Sequence, residues 1–360
     1  MLAAANSIHT LRWCNALAER GYEIHLLTCH RVKGFLHEKV SIHYLAFAPF
    51  AGYFLNAPQV RFILARIRPA LLHAHYASGY GTLGRLAGFH PYVVSVWGSD
   101  IYDVPDRSPF HHILITGNLR SADWICSTSN VMAAQTRKLV PVKHLQVTPF
   151  GVDTQIFSPS NNVRDQSIIT IGTVKTLTPK YGVDLLIRAF AQLVERAKHG
   201  LDQSTKYKLL IVGDGPQRQE LTDLVQSLEI SELTEFIGSV PHSDVPKYLN
   251  QLDIYVAASR FDSESFGVAV LEASACGLPV IVSDAGGLPE VVKDNKTGII
   301  VPRNNLPLLV EAIYSLATDH QLRIDLGQRG REHVRELYEW KNNVKLMEQT
   351  YACVLQVNQR

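Results

Sequence analysis

The sequence predicts an α/β protein of two doubly wound, parallel-sheet domains. Three observations lead there. A chain of 360 residues is too long for one typical domain and fits two, each able to bury its own core. Short apolar runs that suit buried strands alternate with segments of helical apolar spacing, the rhythm of a parallel sheet with crossover helices. Near the middle, the turn-rich stretch from Phe150 to Asn162, with Pro149 before it and Pro159 within it, marks a boundary. The predicted division is a first domain over 1–155, a second over 156–335, and a helical tail over 336–360.

The elements follow in order. Ser7 to Arg20 reads as an amphipathic helix stopped by Gly21, and Glu23 to Cys29 as the strand after it. Ala70–Ala74, Tyr92–Val96 and Trp124–Ser127 are further strands with helices between them. The second domain starts with a strand over Ser167–Ile171. Strands over Tyr207–Val212, Thr234–Ile237, Ile254–Ala258 and Pro279–Val282 then alternate with helices over Gly182–Ala197, Gln217–Leu228 and Val268–Cys276. A helical stretch from Arg323 to Leu355 ends the chain.

Composition narrows the class. Hydrophobic residues at 46% and charged residues at 19% are ordinary for a globular protein, and nowhere do about 18 apolar residues run consecutively. Five cysteines, odd in number and without close pairs, argue against a disulfide framework or zinc site and for reduced thiols in a cytoplasm. The net charge of +2 hides an asymmetry: residues 1–155 hold 14 Lys or Arg against 8 Asp or Glu, a net +6, and the remainder 21 against 25, a net −4. A basic first domain suits a phosphorylated or membrane-bound acceptor, and no nucleic-acid partner is expected. In Gln59–Arg68, apolar residues interleave with Arg61, Arg66 and Arg68. Two readings stay open there: an anionic bilayer contact, or a helix packing its apolar stripe inward.

The chemistry concentrates in one block, Ser259-Arg260-Phe261-Asp262-Ser263-Glu264-Ser265-Phe266-Gly267-Val268-Ala269-Val270-Leu271-Glu272. Glu264 falls in a loop after a strand and Glu272 about one turn inside the next helix, so both carboxylates reach a ligand near the helix start. The helix amides carry partial positive charge that suits a phosphate, Gly267 permits close approach, and Glu272 can accept from a ribose diol. Together these groups describe a nucleotide diphosphate held at a helix start. Gly172-Thr173-Val174-Lys175 also follows a strand directly, and Gly172 is expected to let the backbone approach a ligand at the carboxyl edge of the sheet.

The block resembles the donor-binding domain of glycosyltransferase family 4, and the likeness continues through Ala275-Cys276-Gly277-Leu278-Pro279, Gly286-Gly287-Leu288-Pro289-Glu290 and Thr297-Gly298. Asn6–Thr28, Val94–Tyr102 and Pro149–Asp153 fit the family's first half and linker. The resemblance implies two Rossmann-like domains of the glycosyltransferase B fold facing each other across a cleft, with the last helix crossing back onto the first domain. It also implies a retaining, metal-independent transfer of a hexose-type sugar from a nucleotide-diphosphate sugar to a glycan or lipid-linked acceptor, in cell-surface polysaccharide synthesis. No resident cofactor is implied; the location is cytoplasmic, with contact at the inner membrane face left open.

Roles carry over residue by residue. Glu264 is similar to the family's loop glutamate facing the sugar and Glu272 to the one holding the ribose. Ser265, Phe266, Gly267 and Val268 lie at the diphosphate, and Gly213, in the turn Gly213-Asp214-Gly215-Pro216, lines the donor. Lys175 and Lys180 stand where the family offers an Arg and a Lys to the diphosphate, their individual roles undivided because Tyr181-Gly182 replaces the usual Lys-Gly. Lys175, Lys180, Glu264 and Asp100 form the expected catalytic set. Asn6, His9, His75, Trp97 and Asp100 are expected on the acceptor side, with Asp100 hydrogen-bonding sugar hydroxyls and Trp97 stacking on a ring.

Two departures matter. Asn6-Ser7-Ile8-His9 replaces a glycine-rich loop, and so few residues precede it that the first strand reads as truncated. Trp97 stands where a histidine is common. Both leave open a catalytically silent subunit that binds a nucleotide sugar; a 2-epimerase of the same architecture fits the Glu-Ser-Phe-Gly block poorly.

Overall fold

The structure, a computed structural model, describes residues 1–160, 167–198 and 205–357; residues 161 and 162 of the predicted boundary segment lie outside it. The chain forms two compact units, one of Met1–Phe150 with the tail from Lys341, the other of Gly151–Trp340.

The first unit carries strands β1 (Ile24–Thr28), β2 (Val40–Tyr44), β3 (Leu72–His75), β4 (Tyr92–Val96), β5 (Trp124–Ser127) and β6 (Leu145–Val147). Every pairing is parallel, β1 with β2 and then β3 through β6 in sequence order. Residues 1–3 lie between β1 and β3. Leu2 bridges Leu27 on one side and Ala74 on the other, its amide donating to His73 O at 2.8 Å and its carbonyl accepting from His75 N at 3.0 Å. The order β2, β1, residues 1–3, β3, β4, β5, β6 therefore reverses direction next to Leu2, which is fully buried. Tyr92, Leu83, Leu72 and Ile115 build the core around it.

In the second unit, β7 (Ile168–Val174), β8 (Lys206–Val212), β9 (Thr234–Gly238), β10 (Ile254–Ala257), β11 (Val280–Ser283) and β12 (Ile299–Val301) form one sheet in the order β12-β11-β10-β7-β8-β9. All are parallel. The chain winds outward from β7 in one direction and restarts at β10 in the other, so the reversal lies between these two strands. Such reversals open a crevice at the carboxyl ends of the strands.

Three strands that the sequence pattern does not announce, β2, β6 and β12, are all sheet edges. An edge strand has fewer covered neighbours and needs no long apolar run. The predicted terminal helix is two, His320–Leu337 and Trp340–Val357, separated where Val152 bridges Glu339. The helix Ala57–Ile67 buries Val60 and Leu64 and packs Ile63 and Ile67 against the core, while Phe62 of the same segment stands outward.

Candidate functional site

The second unit's site grows from the ends of β7 and β10. These strands pair with Ile254 opposite Ile171 and Tyr255 opposite Gly172, so the segments leaving them emerge side by side. Lys175 immediately follows β7; beyond β10 the chain loops through Ser263 and Glu264 before the helix Val268–Ala275. Lys175 Nζ lies 2.9 Å from Glu264 Oε1, with both side chains nearly sealed at 9% and 7% exposure. Burial alone lowers the lysine's pKa, but the Glu264 carboxylate, with the phenols of Tyr255 and Tyr181, more than reverses this and holds it above its ordinary value.

Lys180 Nζ donates to Ser263 O at 2.7 Å. The Tyr181 ring serves both cations, 4.7 Å from Lys175 Nζ and 5.3 Å from Lys180 Nζ, as an electron-rich face does for ammonium groups. Beside them, the Ser263 hydroxyl is buried without a hydrogen-bond partner among the described residues.

Gly267 ends the loop at φ +92°, a backbone state side chains rarely adopt, and a Cβ there would meet Leu288 Cδ2 at 2.6 Å. The helix starts at Val268 and places Glu272 about one turn in. Glu272 is 4% exposed, and its Oε1 lies 2.7 Å from His242 Nε2. Ser265 and Phe266 are buried beside Glu264, and Val268 is half-buried at the helix start. Gly213, at φ +135°, packs its α-carbon against the Lys175 carbonyl, where a side chain has no room. It sits behind the lysine and fixes its backbone.

Gly172 corrects an expectation. It lies inside β7, and a Cβ there would strike the Leu210 carbonyl and Leu252, so its small size serves strand packing and not ligand approach.

The first unit holds an aromatic cluster at the carboxyl ends of its strands. His9 stacks on Phe150 with centroids 4.2 Å apart, and Trp97 meets Phe150 at 5.2 Å, Tyr76 at 5.1 Å and His75 at 4.5 Å. Trp97 and His9 keep partial exposure and Asn6 is exposed. His75 is buried beneath Trp97 with Nδ1 3.4 Å from Thr10 Oγ1. Burial, then the neighbouring His73, the amino terminus and His9, hold its pKa well below the usual histidine range. It supports the cluster from below.

Asp100 is the clearest correction. It is fully buried, with Oδ2 accepting from Ala77 N at 2.8 Å and Oδ1 from Gly98 N at 2.9 Å and Trp97 N at 3.1 Å. Three backbone amides occupy the carboxylate that was expected to meet sugar hydroxyls. Burial raises its pKa and these amides oppose the rise. Asp100 shapes the Trp97 loop and does not face a substrate.

Tyr181, His242 and Ser263 are members of the arrangement that sequence reasoning did not single out. Tyr181 and Ser263 sat within quoted motifs, but His242 lies 30 positions from Glu272 and carries no local signal. Among the described residues, no group of three or more His, Cys, Asp or Glu is placed to hold a metal ion.

A switch-point site with two clustered cations, a helix start and paired glutamates on one of two doubly wound units fits a glycosyltransferase of the B fold. The chain belongs to the glycosyl transferases group 1 family, whose model matches residues 154–333, and a glycosyl transferase 4-like model matches residues 1–129. It is 27% identical over 364 aligned positions to the N-acetyl-alpha-D-glucosaminyl L-malate synthase of Bacillus anthracis, covering 94% of this chain and 91% of that one. It is 30% identical to a GDP-mannose-dependent alpha-(1-6)-phosphatidylinositol monomannoside mannosyltransferase of Mycolicibacterium smegmatis, over 56% of this chain and 54% of that protein. In fold it matches the sucrose-phosphate synthase of Thermosynechococcus elongatus, with a TM-score of 0.82, 21% identity, and 99% and 98% of the two chains covered. The Anabaena protein HepE, solved with UDP, matches with a TM-score of 0.81 at 17% identity over 98% of each chain. The protein is thus a glycosyltransferase.

Proposed function

We propose that the protein transfers a hexose-type sugar from a nucleotide-diphosphate sugar, with retention at the anomeric carbon, to a glycan or lipid-linked acceptor in cell-surface polysaccharide synthesis. The observation that carries this reading is the buried Lys175–Glu264 pair beside Lys180 and the helix start at Gly267. When the anomeric C–O bond breaks, negative charge grows on the leaving diphosphate and positive charge at the anomeric carbon. Fixed cations and helix amides stabilise the first without reorganising, and a carboxylate stabilises the second. Lys175, Lys180 and the amides at Phe266–Gly267 are assigned to the diphosphate, Glu264 to the sugar and Glu272 to the ribose. The unpartnered Ser263 hydroxyl offers a hydrogen bond to the same ligand. We place the charge stabilisation on these groups without a metal. The relatives' names support the class of sugar, N-acetylglucosaminyl in one and mannosyl in the other, and they differ in acceptor, L-malate in the first and a phosphatidylinositol mannoside in the second.

The test is nucleotide release from a panel of UDP- and GDP-sugars, with and without chelator, with lipid extract as acceptor. Release with one donor, retained in EDTA and lost in Glu264→Ala, is the expected result. Saturable donor binding without release under every condition supports the silent-subunit reading, which the substitution at Trp97 favours.

A further inference from the structure

After β2 the chain enters an apolar loop, Leu45-Ala46-Phe47-Ala48-Pro49-Phe50-Ala51-Gly52-Tyr53-Phe54-Leu55, eleven residues without a charge. Most of it stands in solvent: Phe47 is 49% exposed, Phe50 86%, Phe54 45% and Leu55 53%. Its framework, by contrast, is anchored. Leu45 and Asn56 are buried, and Asn56 ties both ends of the loop, accepting from Phe47 N at 3.0 Å and donating to Phe47 O at 2.9 Å. Tyr53 turns inward to meet the Tyr80 ring at 5.3 Å. Gln59, on the next helix, accepts from Ala46 N at 2.8 Å and donates to Tyr44 O. The phenyl groups are therefore held outward by a fixed loop. Phe50 has φ +72°, a left-handed state that a bulky residue rarely takes.

The patch continues onto the helix Ala57–Ile67, where Phe62 is 68% exposed between exposed Arg61 and Arg66, with Arg68 just beyond. Residues 40–99 contain four arginines and no Asp or Glu. Outward aromatic side chains rimmed by cations with no acid among them complement a surface that is apolar inside and anionic at its face.

We propose that this loop, with Phe62 and its flanking arginines, docks the first unit on an anionic lipid bilayer, the phenyl groups entering the acyl boundary and Arg61, Arg66 and Arg68 meeting the headgroups. The inference extends the proposed function by giving the enzyme a route to lipid-linked acceptors, but it stands on the first unit alone and does not need the donor chemistry.

Cosedimentation of the full chain with vesicles of phosphatidylglycerol and phosphatidylcholine, against vesicles of phosphatidylcholine alone, tests it. Binding to the anionic vesicles that weakens in high salt is expected. Replacing Phe50 and Phe54 by serine should reduce it at least about tenfold, and Arg66 replaced by glutamine about fivefold. Because these side chains are exposed, the melting temperature and donor-only nucleotide release should not change, so loss of donor chemistry and loss of docking read out separately. No binding by the unaltered protein, or equal binding by the Phe50/Phe54 variant, overturns the proposal. So does a dimer in solution that the same variant makes monomeric, since the face would then belong to a second copy.

Discussion

Lys175 and Glu264, 89 positions apart in sequence, meet at 2.9 Å at the point where the second sheet reverses direction. The Glu264 carboxylate holds the Lys175 ammonium above its ordinary pKa in a nearly sealed site, and the proposed function gives the two groups distinct tasks. Glu264→Ala should lower nucleotide release by about a hundredfold or more, the range seen when a preorganised charge-stabilising group is lost. Lys175→Met should lower release similarly and also destabilise the fold by roughly 3 kcal/mol, because it leaves a buried carboxylate unpaired. Combining Lys175→Met with Glu264→Gln should restore most of the stability and none of the activity. Urea unfolding beside a release assay separates the two effects.

His242 holds Glu272 at 2.7 Å and touches nothing else assigned a chemical role. His242→Ala should raise the donor KM by about tenfold, the loss of roughly 1.4 kcal/mol of binding, with kcat little changed. Glu272→Ala should do the same more strongly. If kcat fell instead with KM constant, the glutamate would belong to the reacting centre and not to ribose binding.

Asp100 binds three backbone amides inside the first unit. Removing it in Asp100→Ala should cost about 3 kcal/mol or more of stability through unsatisfied buried donors. Asp100→Asn retains the shape and should cost less. Denaturant midpoints measure both, and tryptophan emission from the Trp97 loop should shift in the alanine variant.

His73 lies between Tyr351 and Ser95, 2.7 Å from each, and is held to a pKa of about 3 by burial first and the nearby amino terminus second. With His75 it stays neutral in the folded state, while both take up protons in the unfolded chain below about pH 6.5. The unfolded state then binds more protons, so stability should fall as pH drops from about 6.5 toward 3, by up to about 1.4 kcal/mol per pH unit for each histidine. Urea midpoints at several pH values should show this slope, and His73→Gln should make it shallower.

Strands buried on both faces were legible because a continuous apolar run such as Tyr92–Val96 or Ile254–Ala257 has few other uses. Val40–Tyr44, Leu145–Val147 and Ile299–Val301 were not, since edge strands are held by backbone pairing that any sequence supplies. In the site, Glu264, Gly267 and Glu272 were readable from one contiguous block, and Lys175 and Lys180 only through the family resemblance. Asp100 misled because a polar residue in a loop gives no sign whether its oxygens face solvent or backbone amides. His242 was silent for a related reason, its partner being assigned only when two distant loops meet.

By itself, the sequence determined the α/β class, the two-part organisation, the family and the block that carries both glutamates, because these depend on local periodicity and on residues close in the chain. Only the tertiary structure decided that Lys175 closes on Glu264, that Gly172 serves packing, that Asp100 is spent on the Trp97 loop, and that three phenylalanines of an apolar loop stand outward. Those outcomes depend on which strands become neighbours and which side chains lose water, and burial is a property of the folded chain as a whole.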